Sequence, residues 1–309
     1  MKLDLHMHTT CSDGDTSPLD LLHMCRDVGL NLISITDHDT LDAYLQLFSE
    51  PIPTNMLLMP GVELTVCSDV DGSKHHLLVY FPLLTRGDQA LINNNLINKI
   101  QLNQQYTQQF LNYANYLSVQ RIQQLTANYY WAQNYFQKLN EVYSLNLDFI
   151  DFCSVSKINI INKTSENVIG RPLIAKYLTM KGIVANSSDA FKKYLSDSSP
   201  AYQALPKTSL EDNIKQVKKI GGVCFLAHPG IWGYTEEQVQ KHIKSALEAG
   251  LDGIEKYHSQ QTYDCEGVVS RGSDFHGLSV KADTFLNVTK GNLTETEEKA
   301  LIDRLFGQK

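Results

Sequence analysis

Lys2-Leu3-Asp4-Leu5-His6-Met7-His8-Thr9, followed by Ser12-Asp13-Gly14 and Ser17-Pro18-Leu19-Asp20-Leu21-Leu22, is the stretch on which the fold turns. A short apolar strand ends in two imidazoles two residues apart, which an extended chain presents on one face. A turn bearing a carboxylate comes next. A helix over about 17–28 then begins with a proline in its first turn. The order is β then α, with ligand-type side chains at the strand's carboxyl end, where parallel α/β architectures gather their chemistry.

The same pattern repeats outward along the chain. A strand over 31–36 closes in Thr36-Asp37-His38-Asp39, with Asp39 placed to cap a helix over about 40–48. A strand over 56–63 closes in Gly61-Val62-Glu63, and one over 75–80 starts with His75-His76. Alternation lets only one of that pair point inward, and His76 is the choice. The later part of the chain reads as a helix over 210–220, a strand over 222–227 ending at His228, and a helix over 235–249. A strand over 253–257, a strand and loop over 270–276 containing Gly272-Ser273-Asp274-Phe275-His276, and a helix over 294–306 complete it.

Between these halves the composition shifts to Asn, Gln and Tyr, as in Asn93-Asn94-Asn95, Gln104-Gln105 and Gln123-Gln124. Ile97, Ile100, Phe110, Leu111, Tyr113, Ala114, Leu117, Ile122 and Leu125 recur at near-helical spacing, which describes amphipathic helices with amide-bearing outer faces. The insertion continues through helices near 171–180 and 189–194. Tyr129-Tyr130-Trp131 reads as its core rather than as a stacking platform. The expected organisation is 1–85, an inserted mainly helical subdomain over 86–206, and 207–309.

A chain of 309 residues with 42% hydrophobic content can bury a substantial core. An acid and a His interrupt the amino-terminal stretch where a signal peptide would be apolar, and no run reaches a membrane-span length. The expected setting is therefore the cytoplasm, with no membrane partner. Six scattered cysteines without a C-x-x-C pair point neither to a zinc knuckle nor to a disulfide framework. The net charge of −7 argues against extended nucleic-acid binding. It also fits carboxylates that hold cations.

Nine residues, His6, His8, Asp13, His38, Glu63, His76, His228, Asp274 and His276, fall at or beside successive strand ends. Imidazole and carboxylate in such a recurring pattern point to a metal cluster, and a carboxylate such as Glu63 can serve two cations with its two oxygens. Mixed ligation of this kind accommodates Mn, Zn and Fe.

The segments His6-Met7-His8-Thr9, Ser12-Asp13-Gly14, Thr36-Asp37-His38-Asp39, Pro60-Gly61-Val62-Glu63, Ala227-His228-Pro229 and Gly272-Ser273-Asp274-Phe275-His276 resemble the motifs of the PHP (polymerase and histidinol phosphatase) superfamily. The resemblance is closest to its branch of nucleotide and 3′,5′-bisphosphate phosphatases and 5′-3′ exoribonucleases. It implies a distorted (β/α)7 barrel with an inserted helical lid, and two or three divalent cations. One cation would be held by His6, His8, Glu63 and Asp274, a second by Glu63, His76 and His228, and a third by Asp13, His38 and His276. The implied reaction is hydrolysis of a small phosphomonoester such as a nucleotide or nucleoside bisphosphate, with Arg171, His228 and Asp13 in catalytic roles. Release from the 5′ ends of short oligonucleotides is an alternative, and a non-catalytic metal-binding module a further one.

Ile169-Gly170-Arg171-Pro172-Leu173 resembles the family segment that faces the substrate phosphate, with Leu173 where a His is usual. Arg86 and Arg121 are the only arginines between the fourth strand and Arg171, which leaves few partners for a second phosphate. Lys256 and His258, in a further family-like strand end, stand as substrate contacts or as partners of neighbouring carboxylates.

Overall fold

In the computed structural model, which describes residues 1–47, 50, 53, 56–82, 104–161, 169–203, 206 and 208–306, the strands are shorter than expected. They are β1 Leu3–Asp4, β2 Leu32–Ile33, β3 Leu57–Leu58, β4 Gly61–Cys67, β5 Lys74–Tyr80, β6 Val223–Leu226, β7 Gly253–His258 and β8 Val269–Gly272. The strand expected over 56–63 is split between β3 and β4. Pro60, which has no N–H to give a ladder, lies in the break.

The ladders form two sheets rather than the single closed sheet of the expected distorted barrel. β1, β2 and β3 make a parallel three-stranded sheet, with Leu3 opposite Leu32 and Leu32 opposite Leu57. The other five strands make a mixed sheet in the order β4-β5-β6-β7-β8. Its first two pairings are antiparallel, and those of β6 with β7 and β7 with β8 are parallel. No helix separates β4 from β5 in sequence, so a hairpin is the short route between them.

Past the ends of the regular strands, single backbone bonds continue the contacts. His6 O accepts from Asp274 N–H (2.8 Å), Met7 O from Thr36 N–H (2.7 Å), and Glu63 O from Asp39 N–H (3.0 Å). The two sheets are not closed into one, but the four segments bearing His6, His38, Glu63 and Asp274 are tied to one another. The fold is mixed α/β.

The helices α1 Pro18–Asp27, α2 Asp42–Leu47, α3 Gln104–Tyr143, α4 Phe149–Val155, α5 Arg171–Met180, α6 Ser187–Ala190, α7 Leu210–Lys219, α8 Glu236–Glu248 and α9 Glu295–Phe306 complete the described elements. Ser17 caps α1 through Asp20 N–H, and Thr235 and Gln238 form a capping box on α8. Asp39 does not cap α2. It takes a left-handed φ of 55°, and its carboxylate accepts from Thr65 N–H (2.8 Å) on β4. Phe48 and residues 86–103, with Arg86, Asn93–Asn95, Ile97 and Ile100, lie outside the described residues, as do the side chains of Phe110, Leu111, Tyr113, Leu117, Arg121 and Ile122.

Two compact units result. The first comprises Met1–Leu117 and Thr208–Lys309, the second Ser118–Lys207. In the first, Leu21, Ile33, Val62, Leu77 and Ile214 share one core, and Leu3, Tyr80, Phe225 and Leu305 share another under α9. In the second, Tyr135, Phe136, Phe152, Ile174 and Leu178 are buried together. Tyr129 and Trp131 join that core while Tyr130 is exposed. Among the described residues no helix is long and apolar enough to cross a membrane.

Candidate metal centre

Nine side chains that are far apart in sequence meet in the first unit, and Glu63 is their hub. Its Oε2 lies 3.1 Å from both His6 Nε2 and His8 Nε2 and 3.3 Å from His38 Nδ1. Its Oε1 lies 2.8 Å from His76 Nδ1 and 3.1 Å from His228 Nε2. Asp274 Oδ1 stands 3.4 Å from both His6 Nε2 and His8 Nε2. Asp13 Oδ1 stands 3.3 Å from His276 Nε2, and Asp13 Oδ2 3.7 Å from His38 Nε2.

Three sets have ligand atoms all within 4.8 Å of one another: His6, His8, Glu63 and Asp274; His38, Glu63 and His76; and His8, Asp13, His38 and His276. His76 faces the cluster, whereas His75 turns away to Ser73 Oγ (2.8 Å) and the Trp232 ring.

The backbone is bent to make this meeting possible. His228 (φ 34°) and Asp274 (φ 54°) both occupy left-handed conformations that disfavour side-chain-bearing residues, a placement found where function fixes the geometry. At Gly272 a Cβ would sit 2.1 Å from the His6 Cβ, so only glycine lets β8 run this close to the first strand. Asp37 anchors the loop that carries Asp13. Its Oδ1 accepts from Thr9 N–H (2.7 Å) and Ser12 Oγ (2.6 Å), and its Oδ2 from Thr9 Oγ1 (2.7 Å).

Electrostatics mark the cluster as a site for positive charge. Burial works to raise the Glu63 and Asp274 pKa values, but the surrounding imidazoles outweigh it and hold both carboxyls well below their usual range. Burial likewise works against a charge on His8, and hydrogen bonds to Asp274 and Glu63 nevertheless bring its pKa to about 9. His38 goes the other way, to about 4, through burial and the neighbouring His8 and His76, with Glu63 and Asp13 opposing. His8 Nδ1 and His38 Nδ1, which face Asp13 and Glu63, are buried and make no hydrogen bond, so their lone pairs remain for a Lewis acid. Imidazole nitrogens and ionised carboxylates in overlapping sets suit divalent cations.

Glu255, which the sequence did not single out, also faces the cluster. Its Oε1 lies 3.0 Å from His6 Nδ1, both side chains fully buried, and its Oε2 accepts from His228 N–H (2.9 Å). It fixes the tautomer that leaves His6 Nε2 free for the cluster and steadies the strained His228 backbone. A carboxylate at the head of Glu255-Lys256-Tyr257-His258, a family-like strand end, was the available signal.

His258 acts in the same way. Its Nδ1 accepts from Gln260 N–H (3.2 Å), so Nε2 carries the proton and donates to Asp274 Oδ2 (3.2 Å). It is a partner of the Asp274 carboxylate. Lys256 is drawn away from the cluster, to Glu297 (3.0 Å) and Asp264 (3.3 Å). A register shift between Glu255 and Tyr257 explains both placements: the bulge puts Glu255 and His258 on the cluster side and turns Lys256 and Tyr257 towards Glu297.

Arg171, in the second unit, donates to Leu195 O (3.0 Å), pairs with Asp197, and lies against the Phe191 and Tyr202 rings. Leu173 packs against that unit's core.

Residues 4–195 match the PHP domain family, and the chain belongs to it. It is a metal-dependent phosphoesterase of the PHP type, and so a hydrolase. It is 24% identical over 289 residues to a 5′-3′ exoribonuclease of Haemophilus influenzae, covering 89% of this chain and 90% of that one. It is 22% identical over 283 residues to a 3′,5′-nucleoside bisphosphate phosphatase of Chromobacterium violaceum, covering 89% and 84%. Among solved structures, an amidohydrolase from Chromobacterium violaceum with bound sulfate superposes with a TM-score of 0.52 at 21% identity, over 96% of this chain and 93% of that one. One from Bifidobacterium adolescentis, assigned as a metal-dependent phosphoesterase, gives 0.50 at 24% identity over 98% and 96%.

Proposed function

We propose that this enzyme hydrolyses a small phosphomonoester, a nucleotide or nucleoside bisphosphate. The observation that carries the reading is the placement of Glu63, whose two oxygens face two different groups of imidazoles. A carboxylate so placed could serve a cation with each oxygen, and paired cations suit displacement at phosphorus.

His6, His8, Glu63 Oε2 and Asp274 Oδ1 would hold one cation, and Glu63 Oε1, His76 and His228 a second. Asp13, His38 and His276 would hold a third, with Mn, Zn and Fe all compatible with the donors. Such cations supply Lewis-acid charge to the phosphoryl oxygens and acidify water near neutral pH. His228 presents Nε2 to Glu63 Oε1, which commits that nitrogen to ligation rather than to protonating a leaving group. Asp13, about half exposed, is the acid nearest solvent and the one open to entering substrate. Arg171 is carried as a phosphate contact by resemblance alone, its guanidinium being held by Leu195 O and Asp197 within its own unit.

The same proposal reads the two sheets of the first unit as one distorted (β/α)7-type barrel, supported by the backbone bonds between their ends.

The exoribonuclease relatives favour a second reading, release of nucleotides from the 5′ ends of short oligonucleotides. Phosphate release from AMP, nucleoside bisphosphates and sugar phosphates, beside shortening of 5′-phosphorylated oligonucleotides, separates the two when Mn, Zn and Fe are supplied in turn. Oligonucleotide shortening without phosphate release from small esters would overturn the phosphomonoester reading. Glu63→Gln should abolish turnover with the circular dichroism spectrum unchanged, and full activity in that variant would remove the metal-centred reading.

A further inference from the structure

Lys281 stands at the edge of the cluster for a structural reason. After His276 the chain turns at Gly277 (φ 91°), and Lys281 N–H donates to Gly277 O (2.9 Å). Asp15 holds this turn from the opposite loop. Its N–H donates to His276 O (2.8 Å), and its Oδ2 accepts from the Ser279 N–H (2.9 Å) and hydroxyl. Thr284 closes the far side through Lys281 O (3.0 Å). The ammonium of Lys281 reaches Asp274 Oδ2, the oxygen that also receives His258, while Asp274 Oδ1 faces His6 and His8.

Among the described residues, Lys281 is the one Lys or Arg whose ion pair is with a member of the cluster. Lys256 pairs with Glu297 and Asp264, Lys218 and Arg304 pair with Asp252, and Arg271 bonds to Asn287 and Thr289. Two observations argue that Lys281 does more than neutralise Asp274. His258 already donates to that same oxygen. The Lys281 side chain is also 31% exposed, and its ammonium carries three donors.

We propose that Lys281 is a phosphate-binding residue: its ammonium, held beside Asp274, donates to a non-bridging oxygen of the substrate phosphoryl group. The inference rests on the phosphoesterase reading above and adds a substrate contact from the first unit. A lysine offers a point charge without the two-pronged geometry of arginine, which fits recognition of one phosphoryl group whatever its ester.

The test compares Lys281→Met and Lys281→Arg with the unaltered enzyme, each loaded with the same metal. Affinity for inorganic phosphate is measured by calorimetry, metal content by mass spectrometry, and KM and kcat on the best small ester. The methionine variant should bind phosphate and substrate on the order of tenfold or more weakly, with metal content unchanged and arginine restoring most of the loss. Unchanged phosphate affinity in the methionine variant would overturn the proposal. So would a fall in metal content in both variants, which would make Lys281 a structural partner of Asp274. If the unaltered enzyme releases no phosphate from any ester, the phosphomonoester reading fails by itself. Weaker phosphate binding in the methionine variant would still uphold the Lys281 contact.

Discussion

The two oxygens of Glu63 face different imidazoles, and neither could do so unless those imidazoles were themselves held. Glu255 supplies part of that hold by accepting from His6 with one oxygen and from the His228 backbone with the other. Glu255→Gln keeps the size of the side chain but loses the charge that orients the ring. Its metal affinity, followed by calorimetry, should fall by roughly tenfold to a hundredfold, with activity recovering in excess metal. Affinity equal to that of the unaltered protein would show that His6 is oriented by packing alone. Glu255→Ala should be worse, because it also leaves the part-buried His228 N–H without its partner, at about 1 kcal/mol of stability in urea denaturation.

The loop over 9–14 and the helix α9 illustrate how whole elements are fastened. Three donors converge on Asp37 to set the loop that presents Asp13. Asp37→Ala should therefore reduce the bound metal by about one ion per chain, while the His6, His8, Glu63 and Asp274 set stays loaded. Elemental analysis of the purified variant checks this, and full stoichiometry would detach Asp37 from the site. At α9, burial works against a charged Glu297, but Thr294 N–H and Lys256 outweigh it, so its carboxyl lies below the ordinary value of 4.5. A folded pKa below the unfolded one adds stability that is present above pH 4.5 and is lost as the pH falls through the folded value. Glu297→Gln should thus lower stability by about 1 kcal/mol at pH 7. Urea titrations should show the difference from the unaltered protein shrinking below pH 4.5, and a constant difference would assign the loss to packing.

For the molecule as a whole, a cation that binds only the folded chain stabilises it by mass action, about 2.7 kcal/mol at a hundred times its dissociation constant. Thermal unfolding of the metal-loaded protein should shift downward by several degrees on chelation, and Glu63→Gln should remove most of that shift. An unaltered midpoint after complete metal removal would mean that the centre does not brace the fold. The sequence by itself determined the α/β class, the helical character of the middle stretch, and the nine side chains that meet. Each of those residues lies in or beside a local pattern of apolar strand, polar end and turn, which is short-range information. Pro60 was in view as well, yet only the folded ladders show the strand divided there. The rest depended on contacts between distant parts of the chain. Glu255 and His6 are 249 residues apart. The bulge in β7 overrides simple alternation, sending His258 to the cluster and Lys256 away from it. Lys281 reaches the cluster from a turn that Asp15 anchors from the opposite loop. Local patterns state which side chains a strand end carries, whereas facing, register and second partners are set by packing between elements, and only the tertiary structure decided those.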